Sequence, residues 1–315
     1  MSAVVVNWNG ADDLAVCLPS LGRQDHRDLE VLVADNGSTD ASESVVRRSN
    51  AVWVPLGRNA GLAAAMNEGA RRAEGEFLLF LNNDMRFPPG FVSRLLDPQL
   101  RDVGIFATDA SQFDWEGARV VHSRTTLTRH RGNRDGAGWW AWRGWAFAQD
   151  ECAHQADAVF GCAANLMVRR EMFEALGGWD PRYAVGWEDL DLCWRAWLRG
   201  WRTVYVPEAA CWHRVGASTA TRKGAAARYR GTLGGRLYFA AKCLPVPEIL
   251  AVWGWALAGG VRDLATGRFQ DVRARSVVMV EQIGALARAL SERRRMYRGA
   301  GDTPARHLRR LAAIN

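Results

Sequence analysis

Short apolar runs rich in β-branched residues alternate with helical patterns through the first hundred positions. Ala3–Asn7, Leu29–Asp35, Val52–Pro55 and Glu76–Asn82 predict strands, each apolar enough through its middle to be buried on both faces. Between them, Leu14, Leu18 and Leu21 share one helical face after a turn at Gly10. Thr39-Asp40 can cap a helix over Ala41–Arg48, and Gly61–Arg72 is Ala-rich. This alternation predicts right-handed βαβ crossovers and a mainly parallel sheet, in which ligands sit beyond the carboxyl ends of the strands. Polar residues occupy those ends: Asn7-Trp8-Asn9, Asp35-Asn36-Gly37-Ser38 and Asn82-Asn83-Asp84. Three strand ends are therefore expected to converge on one crevice.

Farther along, the pattern weakens. Residues 111–157 read as irregular and hold Trp139, Trp140, Trp142 and Trp145, too dense and too Gly-broken for an ordinary core element. A mobile or acceptor-facing loop is expected there, with stacking on sugar faces and plain core packing both open to its indoles. Val159–Arg169 predicts a strand, Leu190–Leu198 a helix ended by Gly200, and Thr203–Val206 another strand. From about residue 222 the chain turns to Arg, Ala and Gly at helical spacing. Leu244–Val261 is apolar apart from Glu248, but its two Pro and three Gly argue against a membrane span. Val277, Val280, Ile283, Leu286 and Leu290 fall on one helical face, followed by Arg293-Arg294-Arg295.

A length of 315 residues suits one large α/β domain or a catalytic domain with an appendage. With 48% hydrophobic and 24% charged residues, disordered, collagenous and low-complexity classes are excluded. Six cysteines without a Cys-x-x-Cys pair suggest neither a disulfide framework nor structural zinc, and fit a reducing compartment. Charge divides the chain. Residues 214–315 carry 19 Lys/Arg against 6 Asp/Glu, a balance of +13, while the preceding residues are net acidic. A basic tail of this kind faces an anionic surface, either lipid or nucleic acid. No recognised nucleic-acid module accompanies it, so no nucleic-acid partner is expected. The apolar run Ala3-Val4-Val5-Val6 lacks a basic n-region, and a cytoplasmic protein is expected, resting on the inner face of the cytoplasmic membrane if the tail binds lipid.

Several clusters can carry chemistry. Asp35-Asn36-Gly37-Ser38-Thr39-Asp40 can accept from a base or ribose and turn amides toward a phosphate, or can serve only as a capped turn. Asn82-Asn83-Asp84 ends an apolar strand with one carboxylate, suited to a hard cation or to an Asx-turn. Trp187-Glu188-Asp189-Leu190-Asp191 opens a helix with three acids, which favour the helix dipole and can also supply a general base. His213 is a candidate metal ligand. No Gly-x-x-x-x-Gly-Lys-Ser/Thr loop, Gly-x-Gly-x-x-Gly turn or Gly-x-Ser-x-Gly elbow is present.

In order, Val5–Gly10, Asp35–Asp40, Arg58–Ala63 with Asn67 and Gly69, Phe80–Asp84, Gly177–Asp180, Trp187–Arg195, Gly200 and Trp212-His213 resemble the family 2 glycosyltransferases of the A-type nucleotide-sugar fold, especially rhamnosyltransferase-like members. The resemblance covers about residues 3–218. It implies a catalytic domain over 1–218 with a mainly parallel central sheet flanked by helices, and a basic, mostly helical extension over 219–315. It further implies that Asp35, Asn7, Asn9 and Asn83 line the nucleotide pocket, with Asn59 and Asn67 on the sugar-diphosphate side. Asp84 and His213 would share a divalent cation, Mg²⁺ or Mn²⁺. Asp189 would be the catalytic base with Glu188 and Asp191 beside it, and Trp187, Trp140 and Trp142 would meet the acceptor. The usual first Asp of the family's Asp-x-Asp element is Asn82 here. The implied reaction is inverting transfer, with L-rhamnose from a dTDP donor onto a saccharide or polyprenyl-linked glycan the foremost expectation. A UDP-hexose, galactofuranose or GDP-mannose donor, or a non-catalytic binding protein of the same fold, are the alternatives.

Overall fold

The computed structural model describes residues 1–129, 141–142, 145–184, 186–214 and 224–314. The chain divides into two compact units, one comprising Met1–Thr125, Gln149–Pro181 and Glu188–Arg222, the other Thr126–Ala148, Arg182–Trp187 and Lys223–Asn315.

The first unit begins with β1 (Ser2–Asn7), α1 (Ala11–Gly22), β2 (Glu30–Asp35), α2 (Ser42–Arg47), β3 (Val52–Pro55), α3 (Leu62–Arg72) and β4 (Phe77–Asn82). The expected strands and helices form within a residue or two of their predicted bounds. Short β5 (Met85–Arg86), α4 (Phe91–Arg101), β6 (Ile105–Asp114) and β7 (Val120–His122) follow. The central sheet runs β11-β13-β6-β12-β4-β1-β2-β3, with β5 beside β13 and β7 beside β6. Here β11 is Ala156–Ala158, β12 is Asn165–Arg169 and β13 is Arg202–His213. β1, β2, β3 and β4 pair in parallel, and β13 pairs in parallel with β6. Antiparallel β12 lies between β4 and β6, which makes the sheet mixed. One core layer is built from Ala3, Val5, Val33, Leu79, Leu81 and Met167 with Leu14, Leu18 and Leu21 of α1 and Phe91, Val92 and Leu95 of α4. α5 (Arg170–Ala175) and α6 (Glu188–Leu198) complete this unit.

Three sequence expectations change. Residues 111–157 are not one irregular loop: they carry the end of β6, β7, β8 (Arg124–Arg129), β9 (Ala141–Trp142), β10 (Trp145–Asp150) and β11, with a separate three-stranded sheet ordered β8-β10-β9. The strand expected over 159–169 is only β12, because residues 159–164 form a loop. The strand expected to stop at Val206 continues to His213, crossing Pro207 and Glu208 with a register shift between Val206 and Ala210.

The second unit contains α7 (Gly224–Cys243), α8 (Val246–Ala265), α9 (Phe269–Ala300) and α10 (Pro304–Leu311). Within it, Tyr238 Oη donates to Glu292 at 2.8 Å, Tyr297 Oη donates to the Cys243 carbonyl, and the buried Arg275–Asp263 pair closes at 2.8 Å. Among the described residues, no helix is long and apolar enough to cross a membrane.

Candidate active site

The parallel register sets the polar strand ends side by side. Asn7 is the direct neighbour of Asp35, and Val6 that of Asn82. Asp35 is buried, and Asn7 Nδ2 donates to its Oδ1 at 2.9 Å. The Ser38 hydroxyl donates to the same oxygen, while the Gly37 and Ser38 amides donate to Oδ2 at 3.2 and 2.8 Å. A carboxylate offers about four acceptor positions, so all are filled from within the chain. A base N–H would displace one of them, and the rotatable Ser38 hydroxyl is the donor that can swing away. Asn7 Oδ1 in turn accepts from Asn83 Nδ2 at 2.6 Å, giving a buried chain Asp35–Asn7–Asn83 across three strand ends. Asn9, at φ 52°, donates its backbone amide to Ser38 Oγ at 2.7 Å and accepts from the Thr39 amide on Oδ1 at 2.7 Å. The Asn36 side chain accepts from the Ala60 amide at 2.7 Å and so ties this turn to the loop before α3. Asn59 is exposed on that loop, its Oδ1 accepting from the Gly61 amide. Asn67 is committed elsewhere: both of its polar atoms clamp the Trp179 backbone, at 2.9 and 3.0 Å.

Asp84 and His213 are brought together. β5 pairs antiparallel with the end of β13, so that His213 stands opposite Met85, and the Arg214 amide donates to the Asp84 carbonyl. His213 Nε2 lies 3.2 Å from Asp84 Oδ1, and Asp84 is 2% exposed. A hydrogen-bond chain fixes the imidazole. Asn165 Nδ2 donates to the Ala110 carbonyl, so its Oδ1 accepts from Gln112 Nε2 at 2.9 Å, and Gln112 Oε1 is left to accept from His213 Nδ1 at 2.9 Å. With its proton on Nδ1, a neutral His213 points the Nε2 lone pair at a carboxylate. Two acceptors at that separation repel unless a cation or an added proton lies between them, and a ring oriented through its second nitrogen is how metal-ligating histidines are held. The donor set therefore fits a divalent ion. Among the described residues no group of three or more His, Cys, Asp or Glu is gathered to hold one.

The three acids that open α6 differ in environment. Asp191 is fully buried and paired with Arg195 at 2.8 Å, an arginine that also donates to the Leu176 and Gly178 carbonyls. Glu188 is 4% exposed, and its Oε2 has no hydrogen-bond partner among the described residues. Burial, with the neighbouring Asp189 charge, pushes the Glu188 carboxyl up to about 8. Asp189 is half-buried. Burial raises it too, opposed by the Leu190 amide at 2.8 Å, the positive charge of His122 and the Ala163 amide. Unlike Asp191, it is not spent on an ion pair with Arg195.

The aromatic expectations fare differently. Trp187, at φ 75°, is buried in the second unit, where its indole N–H donates to the Thr232 carbonyl at 3.1 Å and its ring packs on Phe239. It offers no open face to a sugar, which corrects its expected acceptor role. Trp142 pairs through its backbone with Trp145 in the small sheet, and Trp140 lies outside the described residues. Sequence reasoning passed over Gln112, Asn165, Asp109 and His122. Of these, Asp109 carried a signal, an acid inside the apolar run Ile105–Ala110.

The family model for glycosyl transferase family 2 matches residues 2–177. An N-acetylglucosaminyl-diphospho-decaprenol L-rhamnosyltransferase of Mycobacterium tuberculosis is 30% identical over 237 residues, which cover 70% of this chain and 77% of the relative. The O-antigen biosynthesis protein RfbC of Myxococcus xanthus is 30% identical over 49% of this chain and 12% of its own length. Among solved structures, the mannosyltransferase PcManGT from Pyrobaculum calidifontis, in complex with GDP-Man and Mn²⁺, has a TM-score of 0.52 at 21% identity. That match covers 99% of this chain and 79% of the other. GalNAc-T7 with UDP, GalNAc and Mn²⁺ has a TM-score of 0.55 at 18% identity, covering 76% of this chain and 49% of that one. These structures share the A-type glycosyltransferase fold. Matched by the family model over more than half its length, the chain belongs to glycosyltransferase family 2 and is a sugar-transferring enzyme.

Proposed function

We propose that the chain is an inverting glycosyltransferase that moves L-rhamnose from a dTDP donor onto a lipid-linked glycan in cell-surface polysaccharide synthesis. The donor and acceptor classes rest on the mycobacterial relative, whose name gives both an L-rhamnosyl group and a diphospho-decaprenol acceptor. The chemistry rests on one observation above the others, the meeting of Asp84 and His213 at 3.2 Å; the choice of Asp189 as base rests on the family resemblance and on Asp191 being paired with Arg195.

In this reading the nucleotide lies against the Asn9–Thr39 and Asp35–Ser38 turns, with Asn7 and Asn83 holding those turns in register and Asn59 toward the diphosphate. Asp84 and His213 hold Mg²⁺ or Mn²⁺, which, when bound, neutralises charge on the departing nucleoside diphosphate. Asp189 takes the proton of the acceptor hydroxyl as that oxygen attacks the anomeric carbon. The bond to the diphosphate oxygen breaks on the opposite face, and configuration at that carbon inverts.

The second unit suits the surface of an anionic membrane. Val246, Leu250, Leu257, Val261 and Leu264 follow one helical stripe of α8 and are all more than half exposed, as are Val280 and Ile283 on α9. They occur in the part of the chain with a balance of +13, and apolar insertion and attraction to anionic lipid add.

Release of nucleoside diphosphate from a panel of nucleotide sugars, with and without added Mg²⁺ or Mn²⁺, tests the proposal. Turnover of dTDP-L-rhamnose ahead of UDP-hexose, galactofuranose and GDP-mannose donors, lost with a chelator, is the expected result. Preference for another donor overturns the rhamnosyl reading, and no turnover of any donor favours a binding protein.

A further inference from the structure

We propose that the stack Arg214–Trp115–Arg86–Trp212 positions Asp84 and His213 for their divalent ion, with Trp115 joining its two arginines. The inference rests on Asp84 and His213 being the ligands of that ion and adds the parts that hold them in register. His213 ends β13, between Met85 of β5 and Asp114 of β6, while Asp84 immediately precedes β5. β5 is two residues long, too short to fix its own place beside β13. Side chains supply the rest. The Arg86 guanidinium carbon lies 4.8 Å from the centre of the Trp115 ring and 5.0 Å from that of Trp212, its strand partner. Arg86 Nη2 also donates to the Trp115 carbonyl at 2.8 Å. The Arg214 guanidinium carbon lies 4.3 Å from the Trp115 ring centre, its Nη1 donates to Asp13 on α1 at 2.8 Å, and its amide donates to the Asp84 carbonyl at 2.9 Å.

The turn that carries Trp115 is built to deliver it. Asp114 accepts from the Ala118 and Arg119 amides on Oδ1 at 2.8 and 3.2 Å, which closes the chain over residues 114–119. Gly117, at φ 77°, brings that turn against Trp212: a Cβ there would stand 3.0 Å from the indole nitrogen. The ends of β13 and β5 are thus tied to one indole, β13 through Arg214 and β5 through Arg86. Planar guanidiniums that stack on rings and bond at their rim suit such a clamp, which lysine would not reproduce. A hard cation takes its ligands within a narrow range of distance, so a drift of Asp84 from His213 costs affinity. Groups that orient ligands without touching the ion are worth about ten- to a hundredfold in affinity.

The test is Mn²⁺ binding to the full chain, read from the electron paramagnetic resonance signal of free Mn²⁺, with melting temperature measured alongside. Trp115→Ala should weaken Mn²⁺ binding by about tenfold or more, and Trp115→Phe, which keeps an aromatic face, should hold it within about threefold of the native chain. Trp201, whose contact with Arg199 lies at the other end of β13, gives the control: Trp201→Ala loses a similar stack and should leave Mn²⁺ affinity unchanged. In turnover of the accepted nucleotide sugar, the Mn²⁺ concentration for half activation should rise in Trp115→Ala while donor KM at saturating Mn²⁺ holds. A purely structural stack would lower the melting temperature and leave Mn²⁺ affinity alone; that result, or an equal loss in Trp201→Ala, overturns the proposal. Asp84→Asn tests the underlying reading by itself. Native Mn²⁺ affinity in that variant means that Asp84 is no ligand, whereas a loss there with native affinity in Trp115→Ala overturns only the role of the stack. Should Trp115→Ala not fold, Arg86→Met, which neither stacks as a cation nor donates to Trp115, must weaken Mn²⁺ binding to the same degree or the proposal is wrong.

Discussion

Glu188, Asp189 and Asp191 lie within four consecutive positions of one helix and yet come to different chemical ends. Helical periodicity of about 100° per residue turns Asp189 away from Glu188, while Glu188 and Asp191, three apart, lie on the same side. The family resemblance singles out Asp189, and α6 is buried on nearly every side, with Leu190, Leu192, Cys193, Trp194, Ala196 and Trp197 inside. Pairing and desolvation, rather than facing direction, separate the acids: the Arg195 partner of Asp191 is written in the i+4 spacing, whereas the burial of Glu188 depends on the whole fold. A pH effect follows. Because Glu188 is raised to about 8, the folded chain holds a proton that the unfolded chain has released above its ordinary carboxylate range. Its contribution to stability therefore falls as pH rises from about 4.5 to about 8 and levels off beyond. Replacing Glu188 by Gln should flatten that part of the melting-temperature profile and raise the melting temperature at pH 8 relative to the native chain. An unchanged slope would show that Glu188 ionises freely. The His122–Asp109 pair was hidden for the same reason: a histidine in a stretch without clear periodicity and an acid 13 residues before it meet only when β7 folds back on β6.

β1, β2 and β4 were legible because strands covered on both sides read as continuous apolar runs, and the polar residues that end them mark the ligand edge; β3, expected to be buried on both faces, instead closes the sheet as an edge strand with Val52 and Pro55 exposed. The small strands between residues 111 and 157 were not, being two to six residues long and carrying Thr, Arg and Gln in place of alternation. β13 was cut short on paper because Pro207 and Glu208 look like a stop, whereas the sheet crosses them with a bulge and delivers His213 to Asp84. The turn after β1 supplies a test of how these strand ends are tied. Gly10 leaves the space through which Asn83 bonds Asn7; a Cβ there would sit 1.9 Å from Asn83 Nδ2. Gly10→Ala should break that bond and strand buried amide groups, costing about 1–3 kcal/mol in denaturant unfolding. A loss within a few tenths of a kcal/mol would mean that the Asp35–Asn7–Asn83 chain does not organise the edge.

Taken whole, the chain joins a family 2 glycosyltransferase unit to helices whose exposed stripes and basic balance suit an anionic bilayer. A fully inserted leucine or valine contributes about 1.5–3 kcal/mol, so Leu250→Glu with Val261→Glu should weaken partitioning onto anionic vesicles by at least about tenfold. Both residues are more than half exposed, and the melting temperature should stay put. Equal sedimentation of the native and doubly substituted chains with vesicles would refute membrane docking through α8. The reaction itself is tested most directly by steady-state transfer from the accepted nucleotide sugar in Asp189→Asn and Glu188→Gln, measured side by side with donor affinity. Asn keeps the shape of Asp189 but cannot take the acceptor's proton, so transfer should drop by roughly two to four orders of magnitude with donor affinity preserved, while Glu188→Gln, at a carboxyl that burial pushes toward its neutral form, keeps most of the native rate. Near-normal turnover by Asp189→Asn, or a deeper loss in Glu188→Gln, would contradict Asp189 as the base.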